Sequence, residues 1–247
     1  MSARVTLEIA AGSLGSALAA QAGGADRVEL CENLGEGGCT PSWGTLAVAR
    51  DRLRIPLYVL IRPRPGDFVY DTEEQDVMLR DIEACVRLGC DGFVVGALDK
   101  EGAVDMPLCH ALVGAAAGRG ITFHRAFDVT RDRAVALEAI IALHCERVLT
   151  SGGHDSALLG AGEIALTLAR ADGRIQVMAG AGVTPDNVAA LLRRCAVDAV
   201  HASARQVHAS STWSRQPGLQ GLSPDRLQTH AGTVRALREA IDAAGSR

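Results

Sequence analysis

Six short apolar runs in this chain stop at a polar residue that is costly to bury: Glu8, Glu29, Arg62, His124, Thr150 and His201. A charged side chain withdrawn from water is strongly unfavourable unless it is paired. Carboxylates, imidazoles and a guanidinium are together the parts of acid–base work on a small anion, and a neutral His beside a carboxylate titrates near pH 7. The alternatives are carboxylates satisfied by helix N-termini, ordinary core histidines, and an Arg62 ion pair with Glu8 or Glu29. Glu8, Glu29, His124 and His201 would also suit a divalent metal ion.

The flanking sequence adds further candidates. Pro63-Arg64-Pro65-Gly66-Asp67 is a stiff loop that would hold Arg62 as an anion clamp. His124-Arg125-Ala126-Phe127-Asp128 adds a cation, Arg125, to the anion-binding set and an acid, Asp128, to the catalytic one. Gly180 and Gly182 lie in a loop that runs through Thr184-Pro185 into a helical stretch, a pattern that lets backbone N–H groups approach phosphate. Ser203 could contribute a hydroxyl, and Ser151-Gly152 is a weaker copy of the glycine-rich loop.

Such residues must be gathered by the fold. One pattern recurs, an acid two residues before the core of a strand: Asp26-Arg27-Val28, Asp91-Gly92-Phe93, Glu146-Arg147-Val148 and Asp198-Ala199-Val200. Each gap holds two βα units of roughly 30 residues. Eight units fill the 247 residues, close to the typical length, about 250, of one (β/α)8 domain. The expectation is therefore a single-domain α/β TIM barrel over residues 1–247. Its strands are Val5–Ile9, Arg27–Leu30, Leu57–Ile61, Gly92–Gly96, Ile121–His124, Arg147–Thr150, Ile175–Ala179 and Asp198–His201. Helices are expected at Leu14–Gln21, Trp43–Arg50, Glu73–Leu88, Pro107–Ala117, Ala134–Leu143, Ser156–Ala169, Asp186–Arg193 and Thr229–Ala244. Residues 202–228 read as one long irregular βα loop, either a lid or surface padding. Strand alternation puts Glu8, Arg62 and His124 on one face and Leu7, Ile61 and Phe123 on the other. The polar strand ends then meet at the C-terminal mouth, where barrel active sites lie.

Composition removes several classes. A net charge of −4 and 3% aromatic residues give no basis for nucleic-acid binding. No apolar stretch reaches the 18 or so residues of a membrane span, and no secretory leader precedes the first strand, so a cytoplasmic protein is expected. The single lysine, Lys100, sits in the polar turn Asp99-Lys100-Glu101-Gly102, which disfavours Schiff-base chemistry. The seven cysteines are irregularly spaced without a CxxC, so most read as small core residues. Cys31 lies two residues beyond Glu29, and with Cys39 would form a soft thiolate pair for Cu(I).

Several segments carry a family likeness: Gly24-Ala25-Asp26-Arg27-Val28-Glu29-Leu30-Cys31, Glu36-Gly37-Gly38, Ile61-Arg62-Pro63-Arg64, Thr122-Phe123-His124-Arg125-Ala126-Phe127-Asp128 and Arg147-Val148-Leu149-Thr150-Ser151-Gly152. Together they resemble the CutC copper homeostasis family. The resemblance implies a TIM barrel, cytoplasmic location, copper binding or handling, and a homo-oligomer. Glu8, Glu29, Arg62, His124, Arg125, Asp128 and His201 match its pattern. Many relatives carry a Cys shortly after the first-strand Glu, where this chain reads Glu8-Ile9-Ala10, so Cys31 alone remains of the proposed copper pair. Two functions follow: copper handling without turnover, or a lysine-independent isomerase, epimerase or lyase acting on a small, possibly phosphorylated, anion.

Overall fold

Eight parallel strands close into a barrel in sequence order: β1 (Thr6–Ala11), β2 (Arg27–Leu30), β3 (Leu57–Leu60), β4 (Gly92–Val95), β5 (Gly120–Phe123), β6 (Arg147–Thr150), β7 (Gln176–Ala179) and β8 (Ala199–Ala202). The structure is a computed structural model that describes residues 4–211 and 225–245. Helices alternate with the strands: α1 (Leu14–Gly23), α2 (Trp43–Arg52), α3 (Thr72–Leu88), α4 (Met106–Ala115), α5 (Arg133–Ala142), α6 (Ala161–Ala171), α7 (Val188–Arg194) and α8 (Ala231–Gly245). This is the (β/α)8 architecture expected from the repeat.

Strand parity behaves as the alternation requires. Leu7, Ile61 and Phe123 are fully buried in the layer between strands and helices. The opposite faces fill the barrel interior, with Cys31, Tyr58, Leu60 and Val94 in one apolar cluster and Leu149, Met178 and Ala199 in another. Closure through β1 and β8 sets Glu8 opposite His201, and β1–β2 pairing sets Ala10 opposite Glu29. A one-residue slip would turn all of these polar groups into the apolar layer, so the buried face fixes the register.

The recurring acid closes the other end of the barrel. Asp26, Asp91 and Asp198 each open a unit and accept an amide at the start of the preceding odd-numbered strand, from its first or second residue. They take Leu7, Leu57 and Val177 N–H respectively, each at 2.8 Å. At the barrel floor a short carboxylate satisfies these amides. Glu146 is one methylene longer and instead accepts the Tyr58 hydroxyl at 2.7 Å and pairs with Arg147 at 2.9 Å.

Helix boundaries shift where a side chain offers a better cap. Asp71 caps α3, accepting Glu74 N–H at 2.8 Å while the Glu74 carboxylate accepts Asp71 N–H at 3.0 Å, so the helix starts at Thr72. At α7, Asn187 Oδ1 accepts Thr184 N–H and its Nδ2 donates to Gly182 O, so the Thr184-Pro185 turn precedes a helix that begins at Val188. The Ser156–Gly160 stretch is turn rather than helix, and α6 starts at Ala161. The segment 202–228 is not wholly irregular: β9 (Arg205–His208) and β10 (Arg226–Thr229) pair antiparallel within it. The centre of the expected lid, 212–224, lies outside the described residues.

Candidate functional site

Glu8 and His201 are cross-strand neighbours on the inner face, and Glu29 stands one strand over at the next level. The three offer one donor atom each within 4.8 Å of one another. His201 Nε2 lies 2.8 Å from Glu29 Oε2 and 3.8 Å from Glu8 Oε1. Glu8 is wholly buried, and its other oxygen, Oε2, takes a short hydrogen bond from Arg27 Nε. Oε1 has no hydrogen-bond partner. Burial alone would push the Glu8 carboxyl up; Arg27 and then His201 outweigh it, so the net displacement is downward. Burial disfavours the His201 imidazolium, but Glu29 and then Glu8 more than offset it, so this ring is displaced upward. Arg27 was not among the expected site residues, although alternation in Arg27-Val28-Glu29 puts it on the same inner face as Glu29. Below the triad its guanidinium stacks 4.9 Å from the Tyr58 ring centre, and Arg147 lies 5.0 Å from it.

A cavity of about 270 Å³ opens above the triad. Glu29, His201, Arg62 and His124 line it together with Asp128, and Leu34, Leu60 and Leu149 supply apolar wall. His124 is 5% exposed. Its Nδ1 accepts Ala126 N–H at 3.1 Å, which assigns the ring proton to Nε2, and Nε2 is buried without a partner. Burial, then the Arg62 charge, depress the imidazolium to about 3. Gly96 makes room for the ring, since a Cβ there would lie 2.4 Å from His124 Cε1. His124 is thus a neutral donor. That corrects the expectation of a ring titrating near neutrality and of a four-residue metal set: the donor cluster contains Glu8, Glu29 and His201 without it.

Arg62 does not pair with Glu8 or Glu29. Nη1 donates to Glu36 O at 2.9 Å and Gly38 O at 2.7 Å, and Nη2 to Gly66 O at 2.8 Å. Gly37 is left-handed, φ +86°, and a Cβ there would lie 3.2 Å from Nη1. Phe68 covers the guanidinium at 5.1 Å, and Nε has no partner. The Tyr70 phenol nearby is pushed up to about 12 by burial, against the pull of Arg62 and Arg64, so it stays neutral. Among the described residues, no carboxylate forms an ion pair with Arg62.

The remaining expected residues fall into three places. Asp128 is saturated: it accepts Thr150 Oγ1 at 2.5 Å, Ser151 N–H at 3.0 Å, Ser151 Oγ at 2.9 Å, Gly153 N–H at 3.1 Å and Arg125 Nε at 2.8 Å. It ties Thr150, Ser151 and the Gly152 turn to the rim, and Arg125 also donates to Ser151 Oγ at 3.0 Å. Gly180 walls the site beside His201, whose Cβ would sit 3.1 Å from an added methyl. Gly182 and Ser203 line a second cavity of about 400 Å³ that shares His201, Arg125 and Leu34 with the first. Arg205 lines it too, donating to Ser203 Oγ at 3.3 Å; it lay in the stretch read as irregular. Cys31 is buried, and burial together with Glu29 pushes its thiol well up, away from the thiolate that binds Cu(I). Cys39 is partly exposed on the short Glu32–Cys39 bridge. The assembled donor set is oxygen and nitrogen, with no sulfur in it.

The CutC family model matches residues 5–206. A family protein CutC of Xylella fastidiosa strain 9a5c is 56% identical over 96% of this chain and 89% of its own length. One from Xanthomonas axonopodis pv. citri is 54% identical over 96% and 99%. A crystal structure of a Streptococcus agalactiae CutC named for copper homeostasis matches with a TM-score of 0.77 and 32% identity, covering 81% of this chain and 98% of that one. Phosphoribosyl anthranilate isomerase of Thermotoga maritima matches at a TM-score of 0.61 with 12% identity, a likeness of fold alone. The segments quoted from the sequence, the closed barrel and these matches agree: the chain belongs to the CutC family.

Proposed function

We propose that this chain serves copper homeostasis by holding a divalent metal ion, Cu(II) first among candidates, on Glu8, Glu29 and His201. The carrying observation is the buried Glu8 Oε1, which lacks a hydrogen-bond partner within a group of donor atoms all lying within 4.8 Å. A buried carboxylate oxygen left bare is costly, and a cation is the partner it lacks. Two carboxylates and an imidazole supply oxygen and nitrogen donors, and Cu(II) stands highest among first-row divalent ions for such nitrogen–oxygen sites. Arg27 holds Glu8 in place from below, as groups around a metal centre orient its ligands. Cu(I) fits poorly, because it selects thiolates and the Cys31 thiol is held protonated.

The place of action we infer is the cytoplasm: seven free cysteines suit a reducing compartment, and among the described residues no helix is long and apolar enough to cross a membrane. The homo-oligomer implied by the family resemblance belongs to the same reading, and light scattering on the purified chain tests it. Calorimetric titration with Cu(II), Zn(II) and Mn(II) against the native chain, Glu29→Gln and His201→Ala tests the metal reading. Stoichiometric Cu(II) binding lost in both variants supports it; undiminished binding in both refutes it. Cu(I) binding that disappears in Cys31→Ser would move the site to the thiols.

A further inference from the structure

The cavity over the triad has a second half that metal binding does not use. Arg62 and His124 are each 5% exposed, and each keeps one nitrogen, Nε and Nε2, buried without a partner. Both side chains line the same cavity. The Arg62 guanidinium donates to the Glu36, Gly38 and Gly66 carbonyls, and among the described residues no carboxylate pairs with it, so its positive charge is buried without an acid to neutralise it. His124 adds a fixed N–H donor, because the Ala126 amide occupies Nδ1. A buried, unneutralised cation beside an unpaired donor is unfavourable unless an anion completes it. We propose that this wall binds the carboxylate of a small organic acid.

The rest of the cavity defines the acid. Leu34, Leu60 and Leu149 provide apolar surface for a short carbon skeleton, which a cavity of about 270 Å³ accommodates. Glu29 and His201 line the same cavity, where a hydroxyl on the ligand would find both an acceptor and a donor. A bare inorganic oxyanion would satisfy the donor wall and leave the leucines uncovered. The inference does not rest on metal binding, since none of Arg62, His124 and the three leucines belongs to the metal triad.

The test uses metal-stripped protein dialysed free of chelator, titrated calorimetrically with isobutyrate, 2-hydroxyisobutyrate, isobutyramide and inorganic phosphate. Both acids are expected to bind, the hydroxy acid more tightly, and the neutral amide at least about tenfold more weakly, the scale of one charge-assisted hydrogen bond. His124→Phe and Arg62→Met are each expected to weaken isobutyrate by about tenfold or more. Arg62→Met strands three carbonyls and risks misfolding; the acid–amide comparison on the native chain needs no variant. Movement of the His124 Nε2–H resonance with isobutyrate would place the carboxylate at this wall. Equal binding of acid and amide, phosphate binding without either acid, no binding of either acid, or unchanged affinity in a folded His124→Phe would each overturn the proposal. Cu(II) titration of the same samples separates this result from the fate of the metal site.

Discussion

Replacing Arg27 with Met removes the partner of the most deeply buried carboxylate in the protein's mouth. Glu8 has no exposed surface, and its Oε2 depends on Arg27 Nε while His201 Nε2 stands 3.8 Å from Oε1. Removing one member of a buried ion pair typically costs about 3–5 kcal/mol. For a chain of this length that is a loss of about 6–20 °C in Tm. The pH dependence gives the sharper signature. In the native chain the Glu8 carboxyl lies below its ordinary 4.5, so its stabilising contribution is in place above that value and is lost as pH falls through the displaced one. Without Arg27, burial dominates and displaces the carboxyl upward. The folded variant then binds a proton that the unfolded chain does not, so its stability deficit is greatest at neutral pH and shrinks towards pH 5. Urea unfolding followed by circular dichroism at several pH values reads both effects. The double variant Arg27→Met/Glu8→Gln should recover much of the loss, because the stranded charge is gone. A deficit below about 1 kcal/mol, comparable to an exposed pair, or one independent of pH with no recovery in the double variant, would refute the claim that Arg27 compensates Glu8.

Other outcomes follow from the same geometry. Asp128→Ala leaves the donors of Thr150, Ser151 and Gly153 without their acceptor, and is expected to cost about 3 kcal/mol or more, with faster amide exchange confined to residues 150–153. His124 is depressed to about 3, so the unfolded chain binds a proton there that the folded one refuses. That contribution is complete above about pH 6.5 and is lost as pH falls towards 3; His124→Phe should flatten acid unfolding over that range, measured by urea midpoints. Gly180→Ala puts a methyl 2.6 Å from Leu149 Cδ1 and 3.1 Å from His201 Cβ, and is expected to cost about 1–3 kcal/mol by overpacking. The same substitution should weaken Cu(II) binding through the displaced imidazole. Asp198→Ala frees the Val177 amide at the barrel floor, and is expected to destabilise by about 1–3 kcal/mol while leaving Cu(II) affinity unchanged.

The amino-acid sequence by itself determined the barrel and the side of each strand its residues occupy. Period-two alternation cannot set Glu8 inward without setting Leu7 outward, and the acid-then-strand repeat at double-unit spacing leaves little choice but a closed parallel sheet. The sequence also marked the mouth, because Glu29, Arg62, His124 and His201 break apolar runs where charge is expensive. What it left undecided was who meets whom. The partner of Glu8 depends on cross-strand stagger, which sets Arg27 beside it and leaves Arg62 to backbone carbonyls contributed by a loop over twenty residues away. The His124 tautomer turns on one bend that brings the Ala126 amide onto Nδ1. Asp128 carries the same charge as Glu29 and also lines the cavity, yet five donors consume it, because a short turn after β5 brings it against the loop after β6. Residue type announces which groups can do chemistry; only tertiary distance decides which of them are left unsatisfied and therefore available for it.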